Sequence, residues 1–539
     1  MKQAAPEPVL GLPELRTMQG RLDVTTIYQD TRTTEIQNYC NIPVFIFALL
    51  FLKNLVRWRP RIQIEISSSM LKHIRGIRMP KLTMPVTILA STILLNSPAF
   101  FNGFPLVAGD TAAYIVDALK FLLFFTINWA RPVFYSIFIL PLHLTLSVWP
   151  IVLVQGLIVA HLLFITLRVI NQKQPGSFLV VILILTVCTS LPWLVGQIMA
   201  DVFTGIVILG LFLLSFGLDR LTRLEIVYIF FLTTGAISFH VSHVPLALGL
   251  VIVTVGLQRL LRWHGWRRMK KLALLIGPIM LATSALLAVN IAAVGQITLS
   301  PGSPLFLLAR LIEDGTARMY LDETCPEKGY VLCSYRDELS SSWHFLWSKD
   351  APLQKAGGPW KLRAEASEIV WGSLRAYPVQ QLHKSLHNVF QQFVSISTGA
   401  SLGPRLEGDH TNRVIQTVFG PSVHARYVTS RQNTRKLPIV TVAWLHNTAV
   451  VVSIPIVVFL FVIFVRRKEP LYVSLFILIL FGLIANAFIV GALSFVYSRL
   501  QSRVIWLVVF YATVGSLQML RDSSLSHRPM PEGGKLVCP

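Results

Sequence analysis

The sequence predicts an all-α polytopic integral membrane protein with about 10 to 11 transmembrane helices and one mostly helical extracytoplasmic domain. Of the 539 residues, 53% are hydrophobic and only 14% are charged, and this apolar content exceeds what a water-soluble protein buries. Apolar stretches long enough to cross a bilayer also recur along the chain. They lie at residues 82-100, 133-149, 151-168, 177-194, 202-217, 226-257, 272-294, 438-465, 471-495 and 504-520.

Basic residues are concentrated beside these stretches and predict the orientation of the chain. The net charge is +22, and its densest blocks lie at 53-81, 259-271 and 466-468, each next to a span. Since Lys and Arg favour cytoplasmic loops, we expect all three blocks and the N-terminus in the cytoplasm, and no nucleic-acid partner. Successive loops then lie on alternate sides of the membrane, as the basic blocks require, if 133-168 crosses only once and 226-257 contains two short spans.

Charge and hydropathy together divide the chain into five parts. We expect a multi-pass protein of the inner (plasma) membrane, inserted by its own spans without a cleavable signal. The parts are a basic cytoplasmic N-terminal region (1-81), a transmembrane core (82-294) with a first extracytoplasmic loop at about 101-132, an extracytoplasmic domain (295-437), C-terminal transmembrane helices (438-520) and a cytoplasmic tail (521-539).

The predicted extracytoplasmic domain has three notable patterns. Apolar residues recur at helical spacing over 304-320 and 365-393, which predicts helices there. Cys325 and Cys333 lie eight residues apart in a compartment where disulfides persist, so we predict a bond between them, the alternative being two free thiols. The aromatic-rich stretch 343-360 fits stacking against sugar rings and equally fits a membrane interface or a core.

Asp110 is the most informative polar residue. It lies between the first apolar stretch and the one that begins near Val133, in a region almost free of other carboxylates. An ionisable group at the rim of a membrane is costly, and it is usually placed against a cation, a metal or a substrate. Asp110 also fits the N-cap of a helix that starts near Thr111, and the two roles are compatible.

Other ionisable residues lie at the ends of later spans. Asp201 lies at the start of the span at 202-217. It fits three roles: a helix cap, a partner of an arginine that holds two spans together, or a functional acid. Arg499 and Arg503 lie in a predicted outer loop at 496-503, where they fit head-group anchors and phosphate ligands equally. His240 and His243 share one helical face, and we expect a hydrogen-bonded turn between two short spans rather than a metal site.

The segment Trp129-Ala130-Arg131-Pro132-Val133-Phe134-Tyr135 opens the second apolar stretch. Together with the preceding loop, in which Asp110 is followed by Tyr114, it resembles the start of the C-type glycosyltransferase superfamily, bacterial type. Val133 stands where a second proline is common in that family. The segments 197-201 and 497-503 resemble the later acidic and arginine-containing parts of the same family.

The resemblance implies an enzyme that moves a sugar from a polyprenyl-phosphate carrier to a cell-envelope glycan or lipid on the outer face of the membrane. It implies Asp110 as the general base and Asp201 as a second catalytic acid. No metal ligand and no certain cofactor are predicted, since some family members use a divalent cation and many do not. The implied substrate-binding residues are Tyr114, Arg131, Tyr135, Arg499 and Arg503.

Elementary chemistry leads to the same function. A leaving phosphate needs cations at the membrane face, and an acceptor hydroxyl needs a carboxylate whose pKa is raised by a poorly hydrated site. The alternatives are a lipid-linked glycan flippase or transporter, which often has two similar halves, and an outer-leaflet polysaccharide polymerase. The chain has no detectable duplication and its acids lie at span ends, which favours the enzyme.

Overall fold

A computed structural model of the protein describes residues 83–172, 174–260, 268–406 and 408–526. Most of these residues are helical, and the only β pairing among them is an isolated bridge between Leu106 and Gln197. The predicted N-terminal region 1-81 and most of the predicted tail, residues 527-539, lie outside the described residues.

The helices before the predicted extracytoplasmic domain form most of one bundle. They are α1 (Met84–Leu95), α2 (Ser97–Asn102), α3 (Thr111–Phe124), α4 (Phe134–His143), α5 (Trp149–Val169), α6 (Pro175–Cys188), α7 (Leu191–Val195), α8 (Phe203–Phe216), α9 (Arg223–Ser238), α10 (His243–Leu260) and α11 (Arg268–Val294).

Residues 295–437, called here the polar domain, are followed by three long helices that complete the bundle. The domain contains α12 (Ser303–Asp314), α13 (Thr316–Lys328), α14 (Ser342–Trp347), α15 (Pro352–Lys355), α16 (Pro359–Ala376), α17 (Pro378–Val394) and α18 (His410–Val428). The long helices are α19 (Ile439–Arg466), α20 (Pro470–Leu493) and α21 (Ser498–Ser526).

Six helices in the described ranges are long and apolar enough to cross a membrane. They are α5, α10, Leu272–Val294 of α11, α19, α20 and Ser498–Ser523 of α21. The shorter apolar helices are α1, α4, α6 and the segment Ala200–Phe216. The prediction of an all-α membrane protein is therefore confirmed.

The shorter helices arise where a polar residue or a proline interrupts an apolar stretch. The first stretch divides at Asn96, which ends α1, and Pro98 lies in the first turn of α2. The stretch 133-168 divides after His143, where Leu144 and Thr145 have left-handed backbone angles. It gives one helix of 10 residues and one of 21, so only α5 is long enough to cross.

Helix α8 lies at the centre of the bundle, and all 14 of its side chains are buried. Two of its glycines allow other helices to approach closely. A Cβ at Gly205 would lie 2.5 Å from the ring of Trp506 in α21, and one at Gly210 would lie 2.2 Å from the hydroxyl of Thr233 in α9. The bundle therefore packs around α8 through small residues, as membrane helices commonly do.

The polar domain has its own apolar core, to which Leu308, Phe345 and Ile369 contribute. Both predicted helical stretches are present, but each is two helices. The first breaks at Gly315, whose φ of 87° is left-handed, and the second breaks at Tyr377, just before α17. Cys325 and Cys333 are joined by a disulfide with an S–S distance of 2.08 Å.

The two ends of the bundle differ in what covers them. At one end the side chain of Gln432, from the polar domain, exchanges two hydrogen bonds with the backbone of Val107, between α2 and α3. At the other end Arg521 donates to the carbonyl of Asn171, and Arg467 pairs with Asp522. The polar domain therefore covers one end, and the contacts of Arg467 and Arg521 lie at the opposite end.

The last helix differs from its predicted bounds at both ends. Residues 498–503, predicted as a loop, form the first turns of α21, and 521–526, predicted as tail, form its last turns. The apolar pattern starts only at 504 because Gln501, Ser502 and Arg503 are polar. Their side chains nevertheless point into the protein and are buried. This correction determines where the two arginines of the segment point.

Candidate functional site

Asp110 lies at the polar-domain end of the bundle, between two arginines from distant parts of the chain. It occupies the N-cap position of α3, but its side chain makes no capping hydrogen bond. One carboxylate oxygen accepts a hydrogen bond from Arg131, in the loop before α4. The other accepts from Arg499 in α21, at 3.2 and 3.3 Å. The carboxylate is therefore committed to guanidinium groups and does not cap the helix.

Asp201 extends this ion-pair chain into the bundle. It lies in a short 3-10 turn (Ala200–Val202) before α8, and it also makes no capping hydrogen bond. Its oxygens lie 3.5 Å from the Nε of Arg499 and 3.5 Å from an Nη of Arg503. Asp110, Arg131, Asp201, Arg499 and Arg503 thus form one group, called here the arginine–aspartate cluster.

Helical geometry explains why both arginines of α21 reach the same carboxylate. Arg499 and Arg503 are four residues apart, so they lie on one face of the helix, and that face points inward. The side chain of Arg503 is only 1% exposed and that of Arg499 14%. Neither residue therefore anchors the protein to lipid head groups, which was one of the roles considered from the sequence.

Arg503 is held by a hydrogen-bonding shell that includes α20. The side-chain oxygen of Asn486 accepts from the Nε and an Nη of Arg503, at 3.1 and 2.8 Å. The hydroxyl of Ser242 accepts from the same Nη at 3.2 Å and lies 2.7 Å from the Nδ1 of His240. This shell orients the guanidinium without adding a compensating negative charge.

Two atoms of the cluster are buried without a hydrogen-bond partner among the described residues, Oδ2 of Asp201 and Nε of Arg499. These two atoms lie 3.5 Å apart as an ion pair, so they face each other electrostatically without hydrogen-bond geometry. The cluster has three arginines and two aspartates, which leaves one formal positive charge. This excess charge favours the binding of an anion.

The pKa of Asp110 differs from the value expected from the sequence. Burial alone would raise the pKa of Asp110, but the charges and hydrogen bonds of Arg131 and Arg499 outweigh it and hold that pKa well below its ordinary value of 3.8. The predicted raised pKa of Asp110 is therefore wrong. The dry environment was predicted correctly, but the sequence did not show that two cations face one carboxylate.

The two predicted aromatic residues form a supporting layer. The guanidinium of Arg131 lies 5.8 Å from the ring centre of Tyr114, and Tyr114 packs edge-on against Tyr135 with ring centres 4.7 Å apart. The hydroxyl of Tyr135 donates to Gln155 at 2.5 Å. Tyr114 therefore borders the cluster, and Tyr135 supports Tyr114 through their ring contact.

The histidine pair forms the turn between α9 and α10. The backbone N–H of His243 donates to the carbonyl of His240, and the ring of His243 lies within hydrogen-bond distance of Thr204 and of the Ala236 carbonyl. Burial, with Arg503 and Arg499 nearby, lowers the pKa of His240 to about 3, so its ring is neutral. Within the described residues, no three His, Cys, Asp or Glu side chains are grouped to hold a metal ion.

A small cleft of about 10 Å³ lies beside Arg131 of the cluster. Arg131, Pro132 and Phe134 line it on one side, and Leu286 and Asn290 of α11 line it on the other. The cleft is mostly apolar and has a guanidinium in its wall. Its lining offers contacts to an apolar group and, through Arg131, to an anion.

Three polar residues at the site escaped the sequence analysis. Asn486 is the only amide in the apolar helix α20, and that isolation was a usable signal. Asp117 lies seven residues after Asp110 on the same helix, accepts from Asn128 at 3.0 Å, and has its pKa raised by burial despite Arg131 and Asn128. Arg405 of the polar domain lies over Gly109, where an added Cβ would be 3.4 Å from its guanidinium.

The aromatic stretch of the polar domain divides between packing and exposure. Trp347 stacks on Trp129, in the segment that carries Arg131, with ring centres 5.5 Å apart. Phe345 is buried, whereas Trp343 and Trp360 are exposed. One indole of this stretch therefore joins the polar domain to the Arg131 segment, and two remain at the surface.

Fold and site together define an all-α membrane protein with a buried cationic site at one end of its bundle. Comparisons with protein-family models, with curated proteins and with solved structures found no match.

Proposed function

We propose that this protein is a polyprenyl-phosphate-sugar-dependent glycosyltransferase of the C-type superfamily in the inner (plasma) membrane. The observation that carries the proposal is the arginine–aspartate cluster, with three guanidinium groups and two carboxylates at one end of an apolar bundle. A lipid-linked sugar phosphate combines an apolar chain, an anion and a sugar. The cluster and its apolar cleft provide a matching environment for the first two.

The orientation of the bundle supports an outer active site. Arg467, Arg521 and the carbonyl of Asn171 meet at the end opposite the cluster, and basic residues favour the cytoplasm. We therefore assign the polar domain and the cluster to the extracytoplasmic side and the N-terminus to the cytoplasm. In this arrangement the crossings in the described ranges are α1, α5, α6, α8, α9, α10, α11, α19, α20 and α21.

In the proposed complex the donor phosphate binds at the arginines. Arg131 borders the cleft, and Arg499 lies on the other side of the Asp110 carboxylate from Arg131. Charge-assisted hydrogen bonds from arginine to phosphate are stronger than neutral ones, and they strengthen further as charge develops on the leaving group. Arg503, held by Asn486, contributes a fixed positive charge behind them.

The proposed reaction is a single displacement with inversion. The acceptor hydroxyl oxygen forms a bond to the anomeric carbon while the bond from that carbon to the phosphate oxygen breaks. The electron pair of the broken bond leaves with the polyprenyl phosphate, next to Arg131 and Arg499. The hydroxyl proton passes to Asp110, and Asp201 keeps the α21 arginines oriented.

The ion pairs of Asp110 suggest how it becomes a stronger base. Both of its oxygens accept hydrogen bonds from arginines, which stabilise the ionised form and weaken it as a base. A bound phosphate would compete for those guanidinium groups and reduce their hold on the carboxylate. Donor binding would thus raise the proton affinity of Asp110 at the step that needs it.

The acceptor we propose is an envelope lipid or glycan that approaches from the polar domain. Arg405, over Gly109, and the exposed indoles of Trp343 and Trp360 provide polar and stacking contacts on that side. Exposed aromatic side chains beside hydrogen-bonding groups suit sugar rings. No step of this scheme requires a cofactor.

The test is transfer of radiolabelled sugar by the purified full-length protein, from a panel of polyprenyl-phosphate sugars to extracted envelope lipids and glycans. We expect transfer from one donor class and its loss in Asp110→Asn, which keeps the shape of the side chain and removes the base. Transfer that persists in Asp110→Asn would overturn the assigned base. Carrier binding without transfer from any donor would favour a flippase or a polymerase.

Two further variants sharpen this assay. Asp522→Asn is the matched control, because Asp522 also pairs with an arginine but lies at the opposite end of α21. It should transfer like the wild type. Asp117→Asn tests the other buried acid of α3, and loss in Asp117→Asn with retention in Asp110→Asn would move the base to Asp117.

A further inference from the structure

In helix α17 of the polar domain the apolar side chains are exposed and the amide side chains are buried. This is the reverse of the pattern in a water-soluble protein. Val379, Leu382, Leu386 and Phe390 follow one another at helical spacing, and each is between 50% and 75% exposed. On the opposite side Gln381, Asn388 and Gln392 are between 0% and 6% exposed. In water this arrangement would leave a continuous apolar stripe unburied, which soluble proteins avoid.

The buried amides are fully used within the protein. Gln381 and Asn388 donate to the carboxylate of Asp314 at 2.8 and 2.9 Å. Gln392 accepts from the backbone N–H of Tyr497 at 2.7 Å and donates to its carbonyl at 3.2 Å. These bonds fix the rotation of α17 about its axis, so the apolar stripe must point away from the protein.

The helix has a third face, which separates the apolar stripe from the buried amides along one side. His383, Lys384 and His387 lie there and are exposed. A helix with one apolar flank and one basic polar flank matches the pattern of helices that lie in a membrane interface, with the polar flank towards water and phosphate head groups.

The position of α17 places the stripe beside a membrane span. The backbone of Asn388 and Val389 packs against Gly491, where an added Cβ would lie 2.7 Å from the Asn388 carbonyl. Gly491 is near the end of α20, a candidate span whose Ile484 and Phe488 are themselves exposed. The apolar stripe of α17 thus lies on a helix packed directly against a candidate span that has exposed apolar residues of its own.

We propose that α17 is an interfacial helix whose apolar stripe inserts into the lipid leaflet on the polar-domain side. Its partner is the bilayer, with acyl chains against the stripe and head groups against the basic flank. Because Gln392 is bonded to Tyr497, two residues before Arg499, the depth of α17 also sets the depth of the first turn of α21. This inference does not depend on the proposed reaction.

The experiment is spin labelling of single cysteines in the full-length protein, in vesicles of phosphatidylethanolamine and phosphatidylglycerol. Cys40, Cys188 and Cys538 are replaced by Ser, and the Cys325–Cys333 disulfide is kept. Labels at Leu386→Cys and at His387→Cys are then compared for collision with oxygen, which concentrates in lipid, and with a water-soluble nickel chelate. Both positions are exposed, so the labels should not disturb the fold.

We expect the oxygen-to-nickel accessibility ratio to be several-fold higher at Leu386→Cys than at His387→Cys. Phe488→Cys on α20 supplies the lipid reference, and Met319→Cys, an exposed apolar position elsewhere in the polar domain, supplies the water reference. A ratio at Leu386→Cys equal to that at Met319→Cys would overturn the proposal. So would protection from both reagents, because another protein would then cover the stripe.

Discussion

Two buried groups of arginine and aspartate residues in this molecule differ in how completely they are satisfied. In the polar domain Asp314 accepts from Arg310, Asn388 and Gln381 at 2.7, 2.9 and 2.8 Å. One arginine faces one carboxylate, and the charges balance even though Nε of Arg310 has no hydrogen-bond partner among the described residues. Both side chains of this pair are buried, with Arg310 4% and Asp314 2% exposed.

The arginine–aspartate cluster lacks this balance. It has one more arginine than aspartate, and a carboxylate oxygen of Asp201 is left without a hydrogen bond among the described residues. Each group has a buried arginine Nε without a hydrogen-bond partner among the described residues, so the main difference is in charge. The polar-domain group joins α12 to α17 and is neutral, whereas the cluster has an excess positive charge. The difference separates a structural ion pair from a binding site, although the residue types are the same.

The strongest test of the comparison removes the carboxylate from each group. Asp201→Asn and Asp314→Asn should each destabilise the protein by about 3–5 kcal/mol, because each leaves buried arginine charge unpaired. Inorganic phosphate at 100 times its Kd stabilises a protein by roughly 2.7 kcal/mol, and at one fixed concentration it should stabilise Asp201→Asn more than Asp314→Asn, whose cluster is intact and should respond like that of the wild type. The measurement is the melting temperature of the purified protein, with chloride at equal ionic strength as control. Equal recovery of both variants would contradict the distinction.

Arginine removal should separate the two groups by function. Arg499→Ala should raise the KM for the lipid-linked donor about 10-fold to 100-fold, since a hydrogen bond to a charged group is worth about 1.5–3 kcal/mol. The KM for the acceptor should change little. Arg310→Ala should lower the melting temperature and leave both KM values unchanged. An equal rise in both KM values for Arg499→Ala would indicate a structural role.

The amides that hold each group provide a finer test. Asn486→Ala removes the acceptor of Arg503, and Asn388→Ala removes a donor to Asp314. Each should cost about 1–3 kcal/mol of stability, because a buried partner is left without its hydrogen bond. Only Asn486→Ala should also weaken donor binding, which equilibrium binding of labelled donor would measure. Weakened binding in Asn388→Ala would show that the polar domain influences the site.

The smallest expected effect is in the pH dependence of stability. Arg131 and Arg499 depress the pKa of folded Asp110, so its stabilisation is complete above the ordinary value of 3.8 and is lost only as pH falls through the depressed value. The difference in melting temperature between wild type and Asp110→Asn should therefore be the same at pH 7 and pH 5. A difference that shrinks between pH 7 and pH 5 would mean that the arginines do not hold the carboxylate.

Hydropathy was sufficient to predict the membrane class and most helix positions, because a membrane helix requires a continuous apolar run. It was insufficient where a helix begins with polar residues that point inward. Arg499 and Arg503 were therefore predicted in a loop, although they lie on the first turns of α21. Charge alternation did predict that 133-168 contains only one helix long enough to cross, and α4 and α5 have the lengths this requires.

The composition of the cluster was partly predictable, whereas its connections were not. Asp110, Arg131 and Arg499 were identified as isolated charges next to apolar stretches, and each is in the cluster. Their pairing joins residues 389 positions apart, and one sequence contains no local signal for such a contact. The inverted faces of α17 were missed for a related reason, since helical spacing alone does not say which side of a helix meets water.

The complete burial of α8 has a consequence for hydrophobic mismatch. Its 14 residues extend about 21 Å, less than the roughly 30 Å thickness of a hydrocarbon core. A lipid-facing helix of that length would thin the bilayer or draw polar ends into it. Because neighbouring helices surround α8 on every side, the thickness of the surrounding membrane exerts no direct strain on it. Lipids of different chain length should therefore act first on the longer peripheral helix α19.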